Sequence, residues 1–278
     1  MKKTFVAVAL SSLFASVAAN AAVVYDKDGQ SIDLYGRAQA NIFDKDGARN
    51  NYTSVDSDAM STTLVGSGRL GVRTSSAITN QASVFTRGEW KVNAENSNKN
   101  DQFVARYVYI GLDGGQFGKV IAGQSDTAYY DTLVVTDIFD EWGDSAYSSL
   151  RQEGQIIYSG AWDGFRTTLG YQLSDASQGL DSAYGASVGY TFATGFGFGL
   201  GGENREYDNS SLNNTNNFDQ DSRWAVNATY GTFGLSGFYT AVLYSEADTS
   251  YLSHPDTKDK AWELVAAYSF YNNWTILT

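Results

Sequence analysis

One histidine, His254, and no cysteine leave few side chains for covalent or metal chemistry in the 278-residue chain. A single imidazole cannot build a multi-histidine zinc site, and thiolate sites are excluded. His254 lies beside Pro255 in a polar stretch with no organised partner, which disfavours a serine–histidine hydrolase. Gly197-Phe-Gly-Leu-Gly-Gly202 satisfies G-x-G-x-x-G. A dinucleotide site needs a strand before that motif and a helix after it, and no helical period follows here. Small residues on one face of a strand explain it better. What remains is charge. The 31 acidic residues exceed the 19 basic ones, a net charge of −12. Such a chain should not bind nucleic acid, and it should attract small cations wherever its field is focused in a narrow passage. Within regular stretches stand Arg37, Arg69, Glu89, Lys91 and Arg106. Asp137, Glu141, Asp144 and Arg151 belong to one long connection or its end.

The elements that must position these charges are strands. Ile32, Leu34, Gly36, Ala38, Ala40 and Ile42 alternate with Asp33, Tyr35, Arg37, Gln39 and Asn41. Tyr184, Ala186, Val188, Tyr190 and Phe192 alternate with Gly185, Ser187, Gly189 and Thr191. Trp262, Leu264, Ala266, Tyr268 and Phe270 alternate with Ala261, Glu263, Val265, Ala267 and Ser269. Segments of about ten residues with this dyad are the mark of a transmembrane β-barrel, whose strands satisfy their backbone by pairing. Thirteen candidates start near Ser31, Ser67, Gln81, Phe103, Lys119, Gly154, Arg166, Ala183, Phe196, Arg223, Phe233, Ala261 and Trp274. A soluble β-sandwich or lipocalin-like barrel would alternate too. The strand number, the polar opposite faces and the aromatic residues at strand ends argue against it.

Short and long connections alternate along the chain. The longest, residues 126–151, carries Tyr129, Tyr130, Leu133, Val134, Val135, Ile138, Phe139 and Trp142. A solvated loop would not keep that much apolar surface, so this one should pack, most economically inside the lumen. Residues 1–21 read as a signal peptide. Lys2 and Lys3 precede an apolar core, and Ala19-Asn20-Ala21 gives an A-x-A cleavage signature. That apolar run is too short for a helical span. Residues 22–278 then form the barrel.

On strand parity Arg37 points inward with Asp33 and Gln39, and Arg69 opposes Leu70 and Val72. Arg106 should face away from Ala105 and Tyr107, while Glu89 and Lys91 share a face on either side of Trp90.

Ala22-Val-Val-Tyr-Asp-Lys-Asp-Gly29 with Ile32-Asp-Leu-Tyr-Gly-Arg37 resembles the mature start of the Gram-negative general porins. Gly68-Arg-Leu-Gly-Val-Arg73, Gly88-Glu-Trp90 and Arg106 through Leu112 resemble their next strands. Tyr130-Asp131, Thr136-Asp137, Glu141-Trp-Gly143 and Asp144-Ser-Ala-Tyr147 resemble their third loop, which folds into the channel. The resemblance implies an antiparallel barrel of sixteen strands in complete members, assembled as a homotrimer in the outer membrane among lipid and lipopolysaccharide. About 12–13 strands are expected here, because the chain stops at Thr278, before the family's terminal aromatic strand. On that reading it is a C-terminally truncated fragment. By resemblance Arg37, Arg69, Arg106 and Arg151 match the basic wall of the pore constriction, and Asp137 and Glu141 its acidic loop. Asp144 could pin the loop. Glu89 and Lys91 would add lumen charge, and the family commonly carries an acid where Lys91 stands, so the chain departs from its pattern there.

Opposed charges across a narrow water passage set up a transverse field that favours polar solutes over apolar ones. The expected function is passive diffusion of small hydrophilic solutes and ions with mild cation preference, without a cofactor or a catalytic step. The alternatives are a substrate-selective, sugar-type channel and an adhesive or structural outer-membrane barrel.

Overall fold

The computed structural model describes residues 15–44, 62–93, 103–139, 150–208, 218–271 and 274–278. Fourteen strands follow one another in chain order in one sheet. They are β1 (Ala15–Lys27), β2 (Gln30–Asp44), β3 (Thr62–Ala77), β4 (Ser83–Asn93), β5 (Phe103–Asp113), β6 (Lys119–Asp126) and β7 (Arg151–Trp162), followed by β8 (Phe165–Gln172), β9 (Leu180–Thr191), β10 (Phe196–Tyr207), β11 (Phe218–Tyr230), β12 (Gly237–Tyr251), β13 (Thr257–Ser269) and β14 (Thr275–Leu277). A short helix, α1 (Tyr130–Leu133), lies between β6 and β7. The thirteen expected strands are β2 to β14.

β1 is one strand more than the alternation indicated. It runs antiparallel to β2 through the expected cleavage position, with register shifts between Ala19 and Ala22 and between Val23 and Tyr25. Its first half is mostly small residues in which Ser16 and Asn20 are too few to mark an alternation, so period two could not reveal it.

Turn chemistry sets the short connections. Asp28-Gly29 and Asp163-Gly164 both hold positive φ at their two central positions, as a two-residue type I′ hairpin requires. A Cβ on Gly164 would stand 2.4 Å from the Thr191 carbonyl oxygen, so glycine is needed there for space as well as for φ. β12 begins at Gly237, later than expected, because Gly231, Gly234 and Gly237 all take positive φ and keep the chain turning. β13 begins earlier, at Thr257. Lys258 and Lys260 face Asp248 and Glu246 across the ladder and extend the pairing.

The residues divide into two units, one of residues 1–77 and 85–108, the other of 78–84 and 109–278. In the second unit the two faces of the sheet differ sharply. One face exposes Tyr184, Val188 and Tyr190 on β9, Phe196, Phe198 and Leu200 on β10, and Trp262, Leu264 and Tyr268 on β13. Aromatic rings cluster near both ends of these strands. At the end with short turns, Tyr190–Phe192, Phe196–Tyr230 and Tyr268–Phe270 have centroids 4.8–4.9 Å apart. At the other end Trp224, Tyr244 and Trp262 form a row with spacings of 5.6 and 4.5 Å. Tyr244 stands six positions from Phe238, as Trp262 does from Tyr268, so the band between the rows is ~20 Å of strand at ~3.4 Å per residue. Beyond Tyr244 and Trp262 the same face turns ionic. Lys260 pairs with Glu246 at 3.0 Å, and Lys258 reaches Glu246 and Asp248 at 3.2 and 3.1 Å. An apolar band edged by aromatic rings and then by charge is what a hydrocarbon slab selects on the outside of a barrel wall.

Candidate functional site

The opposite face of the second unit carries the long connection. Its two ends are clamped side by side. The Thr127 amide donates to the Leu150 carbonyl at 2.9 Å, and Arg151 opposes Asp126 with Nε 3.3 Å from Oδ1. Between them, residues 127–139 run across the inner surfaces of β8 to β13. Tyr129, α1 residue Leu133 and Leu150 pack with Ala225 of β11 and Leu243 of β12 in one apolar cluster. Val135, Ile138 and Phe139 pack on a second, formed by Tyr239, Ala241, Val265 and Ala267. The expectation that this connection packs is met over residues 127–139, where Val134 alone of the large apolar side chains is exposed; Trp142 lies outside the described residues.

Polar contacts fix the register of the loop on the wall. Asn227 Nδ2 donates to the Thr132 carbonyl at 2.6 Å, and Tyr239 Oη to the Val135 carbonyl at 2.7 Å. Thr136 Oγ1 donates to Glu263 Oε2 at 2.6 Å. The Thr168 hydroxyl donates to the Asp131 carboxylate. Burial pushes the Asp131 carboxyl above the ordinary range, and that hydroxyl and Arg166 oppose the rise. The glycines of the G-x-G-x-x-G segment lie within β10, where they admit this approach. A Cβ on Gly201 would meet Thr132 Oγ1 at 2.1 Å, and one on Gly199 would meet Asn227 Nδ2 at 2.6 Å. Asp137, at the far end of this stretch, is exposed, and its Oδ2 accepts from Tyr130 Oη at 2.6 Å. Glu141 and Asp144 lie outside the described residues.

Beneath the loop's start, β10 and β11 present a set of charges that parity alone did not single out. Glu203 stands opposite Arg223 and Arg205 opposite Asp221, so unlike charges meet across the ladder and along each strand. Glu203 and Arg205 are both nearly inaccessible, with 3.7 Å between Oε1 and Nη1. Asp221 and Arg223 are ion-paired, and Arg205 Nη2 donates to Gln152 Oε1 at 3.3 Å. The signal was present as the spacings Glu203-x-Arg205 and Asp221-x-Arg223. Only the register of the two strands turns those spacings into a lattice.

In the first unit the basic residues gather on one face. Arg37 of β2 and Arg69 of β3 are direct cross-strand partners, both half-buried. Tyr35 lies across Gly71, where a Cβ would be 2.1 Å from its ring. The Arg73 guanidinium stands 4.4 Å from the same ring centroid, and Arg87 stacks 3.9 Å from that of Tyr107. Arg106 departs from simple alternation. It has the parity of the exposed Val104 and Val108, yet its Nε lies 2.9 Å from Glu89 Oε1. Three half-buried residues in succession, Ala105 to Tyr107, mark the interruption. Tyr107, expected to face away from Arg106, therefore joins the same cluster, 5.8 Å from its guanidinium. Lys91 is half-buried on the strand of Glu89. Tyr35, Arg73, Arg87 and Tyr107 were not foreseen as site residues. Arg151, grouped with the basic wall by resemblance, closes the base of the loop in the second unit.

His254 occupies the exposed turn between β12 and β13, with Nδ1 3.1 Å from the hydroxyl of its neighbour Ser253. This is a local turn contact.

The sequence matches the Gram-negative porin family over residues 6–278. The chain belongs to that family. Among its relatives, outer membrane porin protein OmpD of Citrobacter koseri is 28% identical over 293 residues, covering 97% of this chain and 78% of that protein. Outer membrane porin F of Salmonella typhimurium is 27% identical over 298 residues, with the same coverage. The solved structure of Salmonella typhi OmpF in complex with daunomycin superposes with a TM-score of 0.70 at 20% identity, over 90% of this chain and 77% of that one. The fold is thus that of an all-β, antiparallel transmembrane porin barrel, and the porin resides in the outer membrane of a Gram-negative bacterium.

Proposed function

We propose that this porin is a water-filled channel for passive diffusion of small hydrophilic solutes and ions, mildly cation-preferring, homotrimeric, and without catalytic chemistry. The docked loop carries the reading. A porin whose longest connection lies on the face opposite its lipid-compatible band has narrowed an interior passage rather than built a surface lobe. Asp137, exposed and held by Tyr130, and Glu141 form the acidic side of the constriction. Arg37, Arg69, Arg106 and Arg151 form the basic side, an assignment that rests on the family resemblance. Residues 1–21 serve export, so the mature chain starts at Ala22. N-terminal sequencing of protein from outer membranes checks this, and a retained Met1 would reject it.

The full-length protein in planar bilayers should give ohmic steps. Replacing Asp137 by Asn and Glu141 by Gln together should move the reversal potential in a salt gradient toward anions. An unchanged potential removes those two carboxylates from the constriction.

A further inference from the structure

Among the described acids of the first unit, Glu89 is the most deeply buried. Its side chain is 4% exposed, and its carboxylate accepts from three donors. Oε2 takes the Arg87 guanidinium at 2.7 Å and the Tyr35 hydroxyl at 2.8 Å, while Oε1 takes Arg106 Nε at 2.9 Å. Arg87 Nε in turn donates to Tyr35 Oη at 3.0 Å. The rings of Tyr35 and Tyr107 flank these guanidinium groups, so Arg73, Tyr35, Arg87 and Tyr107 form an alternating cation–aromatic ladder. Arg87 of this ladder and its neighbour Arg106 thus both bind a single carboxylate.

We infer that Glu89 sets the net charge of the arginine wall and holds Arg87 and Arg106 in place, making it an ion-selectivity determinant. This rests on the diffusion reading and adds a residue to it. Charge-assisted hydrogen bonds fix the direction of a guanidinium, and the flanking aromatic faces fix its plane. Two long cationic side chains are thereby held against the wall. Removing the carboxylate takes one negative charge from the wall and releases both guanidinium heads from that anchor. One unit charge acting at ~8 Å through water changes the local ion population about twofold.

The test uses the full chain in planar bilayers under a potassium chloride gradient. Glu89→Gln should lower the cation-to-anion permeability ratio about twofold. Glu89→Asp, which keeps the charge, should stay near wild type, and Arg87→Gln should raise the ratio. The double variant Glu89→Gln, Arg87→Gln should return toward the wild-type value, because it removes one charge of each sign. A conducting Glu89→Gln channel with the wild-type ratio overturns the inference. Should Glu89→Gln fail to fold, Arg87→Gln alone decides, and an unchanged or lowered ratio overturns it. A wild-type protein without ohmic steps would instead overturn the diffusion reading.

Discussion

Arg205→Ala is expected to destabilise the porin by about 3–5 kcal/mol, the penalty for breaking a buried ion pair from one side. The side chain is 4% exposed, and Glu203 lies 3.7 Å away on its own strand. Asp221 faces it across the ladder, and Gln152 accepts from it at 3.3 Å. Deleting the guanidinium leaves two carboxylates with Arg223 as their nearest described cation in this lattice. The energy at stake is chiefly that of stranded acids. Accordingly, adding Glu203→Gln to Arg205→Met should recover part of the loss, since the remaining acid, Asp221, keeps its ion pair with Arg223 and no charge is left unpaired. Denaturant titration of the refolded barrel in detergent checks both variants. A loss under about 1 kcal/mol for Arg205→Ala would show that water reaches and screens the cluster.

Leu133→Asp should release the loop from the wall and raise single-channel conductance. Leu133 is fully buried against Tyr129, Leu150, Ala225 and Leu243. Truncation of such a leucine costs about 2–5 kcal/mol, and an ionised carboxylate in the same seat costs more. The neighbouring contacts of Asn227 and Tyr239 reach backbone carbonyls of the loop, so they cannot be strengthened to compensate. Leu133→Ala serves as the graded partner, with a smaller rise in conductance and faster proteolytic nicking of the loop. A Leu133→Asp channel with wild-type conductance would mean that residues 127–139 do not restrict the passage.

These two sites were unequally legible. Loop packing could be read directly, because eight large apolar residues in one connection demand a partner surface. The seats themselves could not be read. Ala225, Leu243 and Ala241 are ordinary members of the inward set until pairing places them beneath Leu133 and Phe139. Period two tells which face a residue takes and nothing about its lateral neighbours. Glu203 and Arg205 were therefore visible as residues and invisible as a lattice. Arg106 shows a further limit. Its parity groups it with Val104 and Val108, yet its Nε hydrogen-bonds Glu89 instead. Strand existence was the most legible level, since each of thirteen dyads found its place in the sheet. β1 escaped because the leader-like composition of Ala15–Ala21 hides any alternation.

The loop departs from the wall and rejoins it at adjacent points, where Thr127 meets Leu150 and Asp126 meets Arg151. Such a pinch isolates the tether mechanically, so extra residues near the tip impose no shift on the strand ladder. The entropic cost of lengthening it grows only with the logarithm of its length, about 0.6 kcal/mol per doubling. Aperture and scaffold can thus diverge separately, the first by trimming or extending one segment, the second by its own pairing rules.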